Sequence, residues 1–165
     1  MMFISYELVY SLGYLGALLA GFFSSVTIFF PTPGFLIVAA MAASHYFNPF
    51  ILGLFAGIGA AVGETFPYWI AFGGETALSK KYDIKDKLVR IREYFEKYRA
   101  EIIIFFFAFS PLPFDVIGFF CGAIKYPFKK FFAFTLFGKV AKYTLICYAV
   151  YYGMEFAVRW YNAVP

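Results

Sequence analysis

Four ionisable residues stand inside otherwise apolar sequence: Glu64, Asp115, Lys139 and Lys142. A charge at the depth of a bilayer costs several kcal/mol, roughly, unless it is paired or wetted. Lys139 and Lys142 are three residues apart, which puts them on one face of a helix. Two ammonium groups on one face can hold a phosphate. A nearby carboxylate can carry a proton, or release the phosphate by competing for the lysines. The bland alternative is two buried ion pairs that hold a helical bundle together. The location favours a functional site, because the segments around these residues end at breaks that need water.

The surrounding composition decides what kind of protein must position them. Of 165 residues, 62% are apolar, 25% aromatic and only 15% charged, against roughly a quarter charged in ordinary soluble domains. No Asp, Glu, Lys or Arg occurs between Glu7 and Glu64. Coiled as one helix that run would be roughly 84 Å long, against a hydrocarbon core of about 30 Å. It must fold back on itself in lipid. The composition describes an all-α integral membrane protein and excludes a soluble enzyme, a disordered chain and a disulfide scaffold. The net charge of +4 fits basic loops beside apolar helices and implies no nucleic-acid partner. Cys121 and Cys147 both lie in apolar stretches, as packed thiols do. The N-terminus has no basic n-region or small-residue cleavage site, so the first apolar stretch is expected to stay.

Apolar stretches cover about 4–30, 35–44, 50–73, 102–109, 114–124 and 128–154. Segments 35–44, 102–109 and 114–124 are too short to cross a bilayer. Pro31-Thr32-Pro33-Gly34 and Pro111-Leu112-Pro113 interrupt them. Prolines remove backbone donors, and the carbonyls so freed cannot face lipid. Two re-entrant hairpins are expected, with tips at Pro31, Pro33 and Gly34 and at Pro111 and Pro113. The order Pro-x-Pro, Tyr46…Pro49-Phe50, long helix recurs as Pro-x-Pro, Tyr126-Pro127-Phe128, long helix. Paired interrupted segments of this kind mark inverted repeats. Repeat 1 is placed at about 20–73 and repeat 2 at about 102–154, in a single domain spanning 1–165. Between them, 74–101 holds eight Lys/Arg and six Asp/Glu. Leu88, Ile91, Phe95 and Tyr98 recur there at helical spacing, as in an amphipathic helix at a membrane surface. Eleven of the fourteen cations lie in 74–101 and 125–130, which makes that face cytoplasmic. The N-terminus is then inside and the C-terminus outside a multi-pass cell-membrane protein. Trp69 and Trp160 fall near opposite ends of the spans, as interfacial anchors. Gly53/Gly57 and Gly118/Gly122 have the spacing of close helix packing.

These residues carry a family resemblance. Gly59-Ala60-Ala61-Val62-Gly63-Glu64 followed by Tyr68 resembles the Gly-x-x-x-Gly-acid…Tyr signature of the DedA family, the SNARE-associated or VTT-domain membrane proteins. Pro31-x-Pro33-Gly34 resembles its first hairpin, and Phe109-Ser110-Pro111-Leu112-Pro113-Phe114-Asp115 with Gly118 and Gly122 its second. Gly138-Lys139 with Lys142-Tyr143 resembles a Gly-Arg-x-x-Arg-Tyr stretch of the YqaA-like branch. The resemblance runs over about residues 25–153. It implies transport of lipids across or between leaflets, of polyprenyl phosphate with proton coupling or of bulk phospholipid. Glu64 matches the family's first-repeat acid. Asp115 stands where many members carry arginine, and the arginine usual before the second tip is missing. Lys139 and Lys142 are candidates to supply that positive charge.

The expected function is therefore a flippase or scramblase for phosphate-bearing lipids, using Glu64, Asp115, Lys139 and Lys142. Phospholipid or polyprenyl phosphate is the partner, with protons as a further candidate. The alternative is a proton- or ion-coupled transporter of a small solute. No cofactor or metal site is expected, since His45 and the two cysteines have no partners at ligand spacing. No P-loop, dinucleotide fingerprint or nucleophile elbow occurs, so an enzyme is not expected.

Overall fold

The computed structural model describes the backbone of residues 2–26, 34–82, 85–110 and 113–163, with side chains over 13–26, 34–74, 89–93, 95–110 and 113–156. Pro31, Pro33 and Pro111 lie outside the described residues, as does the side chain of Trp160. The described residues form eight helices and no strand: α1 (Met2–Val26), α2 (Gly34–Ala43), α3 (Pro49–Gly63), α4 (Thr65–Tyr82), α5 (Lys85–Lys97), α6 (Ala100–Phe109), α7 (Asp115–Ala123) and α8 (Phe128–Ala163). Among the described residues, two stretches are long and apolar enough to cross a bilayer, Pro49–Gly74 and Phe128–Phe156. Helices α2, α6 and α7 have ten, ten and nine residues, about 15 Å or less, and cannot cross alone.

Three expectations need correction. The stretch 50–73 is not one uninterrupted helix, because Glu64 forms a turn between α3 and α4. Pro67 has no N–H to offer the Gly63 carbonyl, and its ring crowds that turn. The Thr65 hydroxyl bonds back to the Val62 carbonyl at 2.7 Å, where the helix opens. Helix does not stop at Gly73 either; α4 runs on to Tyr82, into the charged stretch. The final helix likewise continues past Met154 to Ala163.

The described chain divides into two compact units. The first comprises residues 1–60 and 140–165, the second 61–139. In the first, small residues set the packing: Ala17, Ala20, Ala42, Ala56 and Ala60 are buried with Val38, Leu52, Tyr143 and Cys147. A methyl added to Gly57 would meet the Val140 backbone, and one on Gly53 the Thr144 backbone, so α3 and α8 approach at their glycines. That is the close packing their spacing implied. Gly21 and Gly59 do the same between α1 and α3. Ser24 and Tyr143 share a hydroxyl hydrogen bond at 2.9 Å.

The second unit is built from aromatics. Tyr68, Phe114, Tyr126 and Phe131 are buried with Ile104, Ile117, Cys121 and Ile124. Gly118 and Gly122 let α7 lie against Pro67 and the Tyr68 carbonyl of α4. The Tyr68 hydroxyl donates to the Tyr126 carbonyl at 2.6 Å. Gly138 on α8 meets Ala108 and the Phe105 carbonyl of α6. Each unit also leaves large apolar side chains outside, among them Leu15, Leu19 and Phe23 in the first and Phe66, Ile70 and Phe106 in the second. In water such surfaces would drive aggregation; in lipid they are the solvent-facing side.

Helices α2 and α7 end alike. His45 and Lys125, each two residues past its helix, take positive φ of 58° and 53°. The His45 N–H bonds to the Ala42 carbonyl, and the Lys125 N–H to the Gly122 carbonyl. After α7 the Tyr126 N–H also reaches the Cys121 carbonyl, completing a Schellman cap with lysine in the place usually held by glycine. A long helix follows each cap, with Asn48 Oδ1 accepting from Phe50 N–H at 2.9 Å to start α3.

Candidate functional site

The interruption after Gly63 presents Glu64 in the second unit, where its carboxylate is almost fully buried. Lys139, in the first half of α8, is buried beside it, and Lys139 Nζ donates to Glu64 Oε1 at 2.5 Å. Side-chain exposure is 7% for the lysine and 5% for the glutamate. Removing either partner would leave an uncompensated buried charge, which is strongly destabilising. Lys139 Nζ also stands 5.1 Å from the centre of the Phe114 ring, a cation–π distance. Phe114 is held in turn by stacking on Phe131, with ring centres 5.9 Å apart.

Asp115 opens α7 directly after Phe114 and is half-buried. The free N–H groups of a helix start favour a carboxylate there. Among the described residues it has no ion pair, although the Lys139 charge acts on it. The lysine therefore has two carboxylates within its field and is bonded to one of them. Thr135, one turn before Lys139 on α8, is fully buried, and its hydroxyl has no hydrogen-bond partner among the described residues. Charge, ring and hydroxyl together make a small polar island within an aromatic core.

The structure thus joins Glu64 to Lys139 and sets Asp115 within the lysine's field. Lys142 is half-buried three residues further along α8, in the first unit. Of the tip residues, Gly34 is buried at the start of α2 against the Ala20 carbonyl, and Pro113 is exposed just before Phe114. No cluster of metal-ligating side chains occurs among the described residues. Pro67 and Thr135 escaped the sequence reading, and Phe114 entered it only as part of the second hairpin motif. A proline three residues after a lone glutamate was a usable signal for the helix interruption. Nothing in the motif showed that the Phe114 ring would lie beside Lys139.

Comparison with known proteins identifies the domain. A model of the VTT domain matches residues 30–152, three-quarters of the chain. The chain belongs to the VTT-domain family. This is the domain of the DedA/SNARE-associated membrane proteins, a family regarded as transporter-like rather than enzymatic. Together with two helical stretches among the described residues that are long and apolar enough to cross a bilayer, it makes the chain a membrane protein. The chain is also similar to "Uncharacterized protein MJ0201" of Methanocaldococcus jannaschii, at 25% identity over 85% of each chain. No solved structure matches.

Proposed function

We propose that this VTT-domain protein moves phosphate-bearing lipids between leaflets, with Lys139 as the group that receives the phosphate. The buried Glu64–Lys139 pair carries the reading. A bare ammonium at such depth is costly, so Glu64 holds it when no phosphate is present. An arriving phosphate offers the same ammonium more acceptor oxygens, and the carboxylate is displaced. Asp115 provides a second station within the lysine's field, so the ammonium can return by steps. Phe114 shields it from lipid meanwhile.

The short α2, α6 and α7, and the like caps after α2 and α7, support two re-entrant hairpins in an inverted repeat. Placing 74–101 and the N-terminus in the cytoplasm follows from the cations of that stretch. A second reading, proton-coupled transport of a small anion, draws on the two carboxylates facing one lysine. Protonation of Glu64 would then free Lys139 for the solute.

Dithionite quenching of fluorescent phospholipids in proteoliposomes tests the first reading. Wild type should expose the inner-leaflet label, while the Glu64→Gln/Lys139→Ala double variant should leave it protected. Equal exposure by both proteins would remove the pair from the mechanism. Equal protection by both excludes bulk scrambling and turns the test to labelled polyprenyl phosphate. A pH-gradient-driven solute flux, lost in Glu64→Gln and without lipid movement, would replace the lipid reading altogether.

A further inference from the structure

The second unit carries a groove unrelated to the buried ion pair. It has a volume of about 560 Å³ and is lined by Arg90, Ile91, Phe95, Tyr98, Ile103 and Phe120. That lies within the roughly 300–1,000 Å³ of ordinary ligand sites. Its walls come from three elements: the amphipathic α5 with the residue after it, Ile103 of α6 and Phe120 of α7. The Phe95 ring meets Phe120 edge-on at 5.1 Å and Tyr126 at 5.7 Å, which seats α5 on the end of α7. The groove thus runs from a charged helix to two apolar ones.

Charge and apolar surface are distributed along it unequally. Residues 85–99 carry six Lys/Arg against three Asp/Glu. Val89, Ile91 and Tyr98 are exposed large side chains on or beside this helix. An amphipathic helix of this make-up, with four or more cations, has the chemistry that recognises anionic lipid. Among the described residues Arg90 is the charged residue at the groove: the surface it lends to the lining is its apolar stem, and the guanidinium at the end of this exposed side chain, left in the polar layer as such stems allow, is a strong partner for a phosphate. The remaining walls offer apolar and aromatic surface to a chain.

We infer that this groove binds one anionic phospholipid, its headgroup phosphate at Arg90 and an acyl chain along Ile91, Ile103 and Phe120. The lipid joins α5 to α6 and α7 and ties the charged segment to the bilayer. Glu64 and Lys139 take no part in it, so this site and the transport reading stand or fall separately.

The test uses full-length protein carrying Tyr98→Trp as its single tryptophan reporter, in a Trp69→Phe/Trp160→Phe background, reconstituted in vesicles with brominated phosphatidylglycerol or brominated phosphatidylcholine. The phosphatidylglycerol should quench the reporter with a relative binding constant several-fold above one. Each basic residue near a lipid surface contributes about a fivefold factor. Arg90→Gln should remove most of that preference. Lys97→Gln, which removes an equal charge from outside the groove lining, should leave most of it. Equal quenching by both lipids overturns the site. So does an equal loss in the two charge variants, since the attraction would then be a diffuse surface field. A reporter variant that folds but shows no quenching by either lipid shows that the groove holds no lipid, which also overturns it.

Discussion

Both units bring helices together at glycines, but they fill the rest of their cores differently. The first removes side chains: glycines 21, 53, 57 and 59 bring backbones into contact around a core of alanines. The second fills space with rings, and into that filling it sets an ion pair. Without a hydrophobic force between helices, close van der Waals contact and a few polar bonds must supply the attraction. Small residues supply contact over many atoms and leave no room for a substrate. Aromatics pack less closely, and their faces tolerate a cation such as Lys139. Chemistry is placed where the packing can accept it.

The largest test of this contrast is to orphan the charge. Lys139→Met should leave Glu64 buried without its ammonium and cost about 3–5 kcal/mol, read as a lowered unfolding midpoint in detergent. Adding Glu64→Gln should recover most of that loss. A lone Lys139→Met as stable as wild type would mean that the pair is not buried in the membrane. Next comes the glycine seam. Gly57→Leu should force α3 from α8 and cost about 1–3 kcal/mol or more in the same assay. Gly16→Ala and Gly73→Ala, where nothing stands within 4 Å, should be neutral or gain up to about 1 kcal/mol of helix propensity. If all three behave alike, the first unit does not depend on close approach.

Smaller effects sharpen the comparison. Ser24→Ala removes the hydroxyl bond to Tyr143 and should cost about 0.5–1.5 kcal/mol, the full value only if that bond is a main polar tie of the first unit. Least affected should be Lys130→Gln. Its pair with Glu101 is 3.1 Å long, but the lysine is 57% exposed. Such pairs contribute about 0–1 kcal/mol, and added salt should erase the difference between variant and wild type.

Much of the architecture was legible before any coordinates. The charge-free run, the short apolar pieces and the prolines between them gave helices too short to cross, and α2, α6 and α7 are such helices. The pairs Gly53/Gly57 and Gly118/Gly122 announced close packing that the structure contains. What stayed hidden was local geometry within an apolar run. Pro67 was present in the sequence, yet the run still had the length and hydropathy of one span. Nor could spacing show which carboxylate Lys139 binds.

The division has a physical cause. Composition alone fixes the solvent: a chain this apolar and this poor in charge cannot expose its surface to water, whatever its fold. The order of prolines, glycines and lone charges likewise fixes which backbone groups need partners and which side chains are expensive. Which partner each one finds is a matter of distance. Glu64 and Lys139 are 75 residues apart, and only packed helices, with Phe114 and Phe131 set around them, bring a carboxylate to an ammonium. That choice belongs to the tertiary structure.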